Sequence, residues 1–167
     1  MKFKCEHFCC SPKLLVNIPE ILEIEKAIAS VAWTGEFHLE ASDKKYSHQT
    51  GYNKALAVEF RKRGWTLQPR LCDNPRLIGD ASKNGVFVEV QFGNSSTLYR
   101  DYYKFHYGLL NGLLSLAVLI VPTSPLQFFP TRPKSVANMA EYDLAYRYIK
   151  LLPIPVPILL IGLLPEN

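Results

Sequence analysis

The sequence has no apolar run long enough to cross a membrane as a helix. The longest run, residues 113–121, is about half of the ~20 residues that such a helix needs, and prolines interrupt the next, residues 154–164. Both runs are predicted to be buried strands. The four cysteines lack the paired spacing of a disulfide framework, and no secretory signal precedes them. We therefore expect a reduced, cytoplasmic protein.

Strong charge imbalance, internal repeats and low-complexity segments are also absent. The formal net charge is only +4, which permits an acidic polymer as a partner but does not identify one. Of the 167 residues, 48% are apolar, enough for a substantial core. This composition predicts one domain that covers residues 1–167.

A compact zinc motif is missing as well, although the N-terminus groups Cys5, His7, Cys9 and Cys10. A structural zinc site needs four ligands, usually as two separated pairs, and the other histidines lie far along the chain. A short buried strand with reduced thiols is the better interpretation, and a metal role stays open as the alternative.

The remaining pattern predicts alternating helices and strands. Proline in a first turn, amphipathic spacing and a glycine stop indicate helices, and continuous apolar runs indicate covered strands. The predicted helices are 17–32, 51–63 (ending at Gly64), 97–110 and 137–149; the predicted strands are 65–71, the hairpin 77–94, 113–121 and 153–164, with a proline-rich loop at 122–134.

The hairpin, residues 77–94, carries the most informative pattern. Its two apolar runs flank a polar turn predicted at residues 81–85, and carboxylates occur at Asp80 and Glu89. Because successive strand side chains alternate between faces, Glu89 and Gln91 share one face. Asp80 can reach that face from the neighbouring strand.

Two carboxylates, a carboxamide and strand carbonyls are hard oxygen ligands, which suit a magnesium-like ion better than zinc. Such an ion could polarise a phosphodiester and lower the pKa of an attacking water. The alternative is a hairpin with solvated acidic side chains, because short motifs have many false positives.

Asp80, Glu89 and Gln91, at this spacing, resemble the PD-(D/E)XK nuclease signature in the variant of the BglII/BstYI family of type II restriction endonucleases, in which glutamine replaces lysine. The resemblance extends over about residues 51–121 in motif and order of elements. It implies an α/β (α+β) fold with a restriction-endonuclease-like core, a central mixed β-sheet flanked by helices. It also implies a catalytic core at about 50–122 and a C-terminal recognition and packing extension at about 123–167.

The resemblance further implies a Mg²⁺-dependent enzyme, with Mn²⁺ as a substitute, that cleaves double-stranded DNA at a short palindromic site and leaves 5′-phosphate ends. Asp80, Glu89 and the Val90 carbonyl would hold the ion, and Gln91 would orient water or phosphate. Glu59, a helical acid, is a further catalytic candidate; its alternative is a surface pair with Arg63 at i+4. A homodimer and a separate cognate DNA methyltransferase are the expected partners.

DNA contacts are predicted beyond the glutamine. The family resemblance makes Asn94 the candidate for a base contact, because asparagine can pair with adenine. Arg100 and Lys104, one helical turn apart, could meet a DNA backbone, or could be ordinary solvated charges. The other candidates are Ser95 and Ser96 at the helix start, and Arg132, Lys134, Ser135 and Asn138 in the later loop.

Three other functions stay open at this level. A repair-type nuclease would share the acidic hairpin but show no sequence preference. A DNA-binding module that has lost cleavage is the second, since Gln91 cannot act as an ammonium. A structural or interaction protein would show no salt-dependent DNA affinity.

Overall fold

The computed structural model describes residues 1–34, 38–41, 44–47, 49–131 and 136–165, with the backbone alone for 38–41 and 44–47. In chain order, the elements are β1 (Lys2–Phe8), α1 (Pro12–Leu15), α2 (Pro19–Ser30), β2 (His38–Ala41), β3 (Lys44–Ser47), α3 (Gln49–Lys62), β4 (Thr66–Leu67), β5 (Arg70–Cys72), β6 (Leu77–Ile78), β7 (Ala81–Lys83), β8 (Val86–Val90), α4 (Thr97–Leu110), β9 (Leu116–Pro122), α5 (Pro125–Phe128), α6 (Tyr142–Leu151) and β10 (Ile158–Leu164).

The main sheet has the strand order β1-β10-β9-β8-β7-β4. Strands β8, β9 and β10 are parallel to one another. The β1/β10, β7/β8 and β4/β7 pairs are antiparallel. The predicted central mixed sheet flanked by helices is therefore confirmed. Strand β10, from the predicted C-terminal extension, lies inside this sheet between β1 and β9.

Helices cover both faces of the sheet, which explains why its central strands are buried and, apart from Glu89, apolar. Every residue of β8 and of β9 is buried. On one face, Val86 and Val88 pack with residues of α2 and α3. On the other face, Phe87 packs with residues of α4 and α6. A strand covered on both faces must exclude solvated side chains, so a polar residue within it needs a buried partner.

The hairpin turn is tighter than the sequence pattern predicted. Residues 81–83 form β7, and the turn is Asn84–Gly85, whose φ angles are +47° and +79°. Asn-Gly with two positive φ angles is typical of a two-residue type I′ turn, whose twist matches the flanking strands. The prediction of a turn over residues 81–85 was wrong because Asn-Gly alone closes the hairpin.

Helix boundaries agree with the predictions for α2, α3 and α4, and Gly64 ends α3 with φ +77°. Residues 65–71 do not form one strand; they divide into β4 and β5 around Gln68, which has φ +51°. Helix α6 and strand β10 begin five residues later than predicted. In each case the sequence pattern located the element but not its first residue.

The N-terminal prediction is partly confirmed. Residues 2–8 form strand β1, at the edge of the sheet, but Cys5 within it and Cys9 just after it are exposed rather than buried. Within the described ranges, no helix is long and apolar enough to cross a membrane.

Gly162 provides a test of how α6 packs on the sheet. A Cβ atom at this position of β10 would lie 2.5 Å from Cδ2 of Tyr142 and 2.8 Å from Cγ2 of Thr123. We expect Gly162→Ala to lower the free energy of unfolding by about 1–3 kcal/mol, the usual cost of overpacking, measured by urea denaturation. In a Tyr142→Ala background, the same substitution should cost less, because most of the clash is removed. Equal costs in both backgrounds would contradict this packing.

Candidate active site

Asp80 and Val90 meet where β7 begins and β8 ends. The Val90 amide donates a hydrogen bond to Oδ2 of Asp80 at 2.7 Å, and the Asp80 amide donates to the Val88 carbonyl at 3.1 Å. The N–H and C=O of one strand residue point to the same side of the strand. The Val90 carbonyl therefore faces the same side as the Asp80 carboxylate, and the two oxygens needed for a cation come from adjacent strands.

An open pocket of about 490 Å³ lies beside this pair. One face of α3 forms its wall, and its polar lining comprises Thr50, Asn53, Lys54, Arg61, Gln68 and Asp80. Asp80 keeps contact with solvent here, yet crowding by protein atoms raises the pKa of its carboxyl, and nearby Asp101 adds to this rise. The Val90 amide and Lys104 act in the opposite direction on that pKa. A carboxylate bordered by two cations and several amides suits a phosphate-bearing ligand with a cation.

Glu89 lies on the opposite face of β8, in contact with α4. Its Oε1 accepts a hydrogen bond from Nζ of Lys104 at 2.7 Å, and the same Nζ is 3.0 Å from Oδ1 of Asp101. The side chains of these three residues are no more than 6% exposed. An ammonium thus joins two buried carboxylates on neighbouring elements.

Gln91, which is partly buried, joins this network. Its Nε2 donates to Oδ2 of Asp101 at 2.7 Å, and its Oε1 accepts from the Gly93 amide at 2.8 Å. A carboxylate accepts only, and a backbone amide donates only, so these two partners determine which end of the carboxamide faces which way. The Gln91 side chain is therefore held in one orientation from both ends.

The buried network carries excess negative charge. Glu89 and Asp101 are matched by Lys104 alone among the ion pairs of the described residues. Burial, and then repulsion from Asp101, raise the pKa of Glu89 well above its ordinary value. Burial disfavours the charge on Lys104, but attraction to Glu89 and Asp101 outweighs it and raises the lysine pKa. With Asp80 near enough to contribute to the pKa of Glu89, the cluster has a charge that a further cation would balance.

The donor set fits a small divalent cation such as Mg²⁺. The Asp80 carboxylate, the Val90 carbonyl and the Glu89 carboxylate are hard oxygen donors, and Mg²⁺ is usually held by one or two carboxylates while it keeps several waters. Within the described ranges, no three side chains of His, Cys, Asp or Glu are grouped closely enough to hold a metal ion. Any ion here would therefore depend on few protein ligands, and Glu89 would share its charge with Lys104.

Glu59 does not lie beside Asp80, so its prediction as a catalytic residue is wrong in this structure. Its carboxylate pairs with Lys62 and Arg63, each at 2.6 Å, and hydrogen bonds from both lower the pKa of Glu59. The reason is helical periodicity. Ala57 lies on the pocket face of α3, and the side chain of Glu59, two residues later, points about 200° away from it around the helix axis. The alternative pairing with Arg63 is the one observed.

Lys104 differs from its prediction as a solvent-facing DNA contact. It is buried against Glu89 and Asp101, because α4 presents residues 101, 104, 105 and 108 to the protein interior. Arg100 is exposed, so the two cations do not share a surface as predicted. A phosphate backbone can therefore meet Arg100 but not Lys104.

Four of the other predicted contact positions lie close together. The Ser95 amide donates to the Asn138 carbonyl at 2.8 Å, and Asn94 forms a bridge with Met139. Oδ1 of Asn94 accepts from the Ser96 amide at 2.9 Å, a local turn at the start of α4. Asn94, Ser96 and Asn138 are exposed. Arg132, Lys134 and Ser135 lie outside the described residues.

Sequence reasoning missed Asp101 and most of the Asp80 pocket, which is lined by Asn53, Lys54 and Arg61 of α3 and by Gln68. The run of Arg61, Lys62 and Arg63 indicates a positive helix end suited to phosphate, but nothing in the spacing linked it to the hairpin that follows. Asp101 had a detectable signal. It lies three residues after Leu98 and four before Phe105, both buried, and that spacing places it on the buried stripe of the helix.

Comparison with known proteins identifies the family and the fold. The family model described as restriction endonuclease BglII/BglIII matches residues 8–163. A solved structure described as restriction endonuclease BglII complexed with a DNA 16-mer matches with a TM-score of 0.80 and 20% sequence identity, and the match covers 99% of this chain and 78% of that chain. This likeness shows the fold. No curated protein matches the sequence.

The orientation of Gln91 can be tested by exchanging amide and carboxylate. Gln91→Glu would place a second carboxylate against the buried Asp101 in a partly buried position, and we expect it to lower the free energy of unfolding by about 1–3 kcal/mol. Glu59→Gln is the matched control; it disrupts a partly exposed pair and should cost at most about 1 kcal/mol. Urea denaturation measures both. Equal stability of Gln91→Glu and the unsubstituted protein would show that the amide does not donate to Asp101.

Proposed function

Since the chain belongs to the restriction endonuclease BglII/BglIII family, we propose that it hydrolyses duplex DNA at a short palindromic site in a Mg²⁺-dependent reaction that leaves 5′-phosphate ends. Membership of this family makes it a type II restriction endonuclease, a DNA-cleaving enzyme. The dependence on Mg²⁺, the palindromic site and the type of end are the proposed parts.

The observation that supports the proposal best is the junction of Asp80 with Val90. The Asp80 carboxylate accepts a hydrogen bond of 2.7 Å from the Val90 amide. It lines a pocket that Lys54 and Arg61 also line. Oxygen donors for a cation and positive side chains for a phosphate therefore face one space. This combination suits hydrolysis of a phosphodiester, because negative charge increases on the phosphate oxygens as the bond breaks.

The proposed ion ligands are Asp80, Glu89 and the Val90 carbonyl. A bound Mg²⁺ would polarise the phosphate and lower the pKa of a water. The protein groups perform the positioning: the Val90 amide orients the Asp80 carboxylate, and Asp101 with the Gly93 amide fixes Gln91. Gln91 can then direct a water or a phosphate oxygen by hydrogen bonding, but it contributes no positive charge.

Recognition is proposed for the segment after β8. Asn94, Ser95, Ser96 and Asn138 lie together at the start of α4, and Arg100 follows on its exposed surface. Arg132, Lys134 and Ser135 remain proposed DNA contacts on sequence grounds. A palindromic site would require a twofold dimer, because the symmetry of the protein matches that of its site.

The remaining proposals concern organisation and partners. Residues 50–122 are proposed as the catalytic core and 123–167 as an extension, although β10 of the extension lies within the main sheet. A separate DNA methyltransferase of the same site specificity is the proposed cellular partner. Its role would be to protect the host sequence.

Substitution of the two acidic residues tests the proposed function. Asp80→Asn or Glu89→Gln should abolish Mg²⁺-dependent cleavage of a mixed-sequence plasmid and leave duplex binding largely intact, because each removes a proposed ion ligand but no phosphate contact. Sequencing the ends produced by the unsubstituted protein would reveal the site. Discrete fragments support site-specific cleavage, and smears would indicate a nonspecific nuclease.

Three outcomes would contradict parts of this proposal. Cleavage that survives both substitutions would exclude Asp80 and Glu89 as ion ligands. Binding of duplex DNA without cleavage by the unsubstituted protein would identify a binding module instead. Full activity in a chelator would exclude the dependence on a divalent cation.

The positive side chains of the pocket give a second test. Lys54→Ala combined with Arg61→Ala should weaken binding to duplexes of any sequence and reduce the slope of log K against log salt by about 2, since two phosphate contacts are lost. Fluorescence anisotropy at several salt concentrations measures both effects. Lys13→Ala, on α1 near the opposite edge of the sheet, is the matched control and should leave affinity and slope unchanged. An unchanged slope in the double variant would remove these residues from the DNA surface.

A further inference from the structure

The Lys104 ammonium is buried between two carboxylates, a position that stability alone does not explain. It lies 2.7 Å from Glu89 and 3.0 Å from Asp101, with its side chain 6% exposed. Burying three charged groups is costly unless they compensate one another. Apolar residues at these positions would pack the interface of β8 with α4 at lower cost, so stability alone does not explain the cluster.

Gln91 and Lys104 end on the same carboxylate. Nζ of Lys104 contacts Oδ1 of Asp101, and Nε2 of Gln91 contacts Oδ2. The two nitrogens are therefore neighbours, although one side chain comes from the strand and the other from the helix. Hydrogen-bond donors at positions 91 and 104 therefore both reach the carboxylate of Asp101.

Only one of these two neighbours carries a positive charge. A carboxamide donates hydrogen bonds but remains neutral, whereas an ammonium is charged. Glu89 and Gln91 also share the α4 side of β8, two residues apart, because strand side chains alternate. A cation at either position could therefore contact Asp101 and remain close to Glu89.

We propose that Lys104 is the ammonium of the active site, supplied by α4 in place of a cation at position 91, and that it acts as a positioning residue that holds Glu89 ready for the reaction. This inference rests on the proposed function, since it assigns Glu89 a part in DNA cleavage. Asp101 holds the two side chains in place, because its carboxylate contacts both Lys104 and Gln91.

The decisive experiment moves the charge between the two positions. Lys104→Gln removes the ammonium. The double variant Gln91→Lys with Lys104→Gln exchanges the two residues, so that the strand supplies the ammonium instead of the helix. Two quantities are measured for each: the thermal unfolding midpoint without divalent cations, and the single-turnover rate of Mg²⁺-dependent cleavage. Lys150→Gln, on the surface of α6, is the matched control.

We expect Lys104→Gln to lower the unfolding midpoint by about 10 °C, because it leaves buried carboxylates without their cation, and to slow cleavage by about 100-fold. The charge-moved double variant should recover most of the midpoint and cleave at least 10-fold faster than Lys104→Gln. The DNA affinity of Lys104→Gln by anisotropy should equal that of the unsubstituted protein, since Lys104 does not reach the surface.

Recovery of the midpoint without recovery of the cleavage rate would overturn the proposal, because Lys104 would then be purely structural. Cleavage by Lys104→Gln within threefold of the unsubstituted rate would also overturn it. If Lys104→Gln does not fold, the double variant decides: cleavage supports the proposal, and failure to fold or to cleave contradicts it. Asp80→Asn in the same assay separates the two levels. If Asp80→Asn also cleaves, the proposed function fails; if it does not cleave and Lys104→Gln does, only this inference fails.

Discussion

The contact between the Lys104 ammonium and two buried carboxylates is the constraint on which the site depends. It ties β8, through Glu89, to α4, through Asp101. A buried ion pair of this kind contributes little net stability, but losing one partner leaves an uncompensated charge. The spacing between strand and helix is therefore restricted to what one lysine side chain can span, and the position of Glu89 relative to Asp80 is restricted with it.

The same network explains how a glutamine can occupy position 91 without loss of order. Asp101 and the Gly93 amide hold both ends of its carboxamide, so the segment that leaves β8 is fixed before the turn into α4. Gly93 suits this role, because a Cβ atom there would lie 2.6 Å from Oε1 of Gln91. The exposed residues Asn94 and Ser96 thus follow a rigid strand end rather than a free loop, a favourable arrangement for reading a rigid partner.

Much of this structure was predictable because periodicity reports burial. The alternation of residues 86–91 correctly separated Val86 and Val88 from Phe87 on the two faces of β8. What periodicity could not give was the long-range neighbour. Lysine is usually a surface residue, and only the contact with Glu89, fifteen residues earlier in the chain, offsets the cost of burying the charge of Lys104. Glu59 was misplaced for the related reason that a border position on a helix can face either of two neighbours.

The α3 helix connects the Asp80 pocket with the proposed recognition segment after β8. Gln49, at its first residue, borders a small cavity with Asn94 and Asn138, and Arg61, near its last, borders the Asp80 pocket. Twelve residues of helix separate them, a distance of about 18 Å at 1.5 Å per residue. Between these ends, the pocket face of α3 carries the polar residues Thr50, Asn53 and Lys54 beside Ala57 and Phe60. A duplex that contacts both regions must therefore lie along α3, and its backbone would enter the Asp80 pocket from the α3 side of β8. The buried Glu89 would reach the proposed ion from the α4 side of β8, where it shares its charge with Lys104.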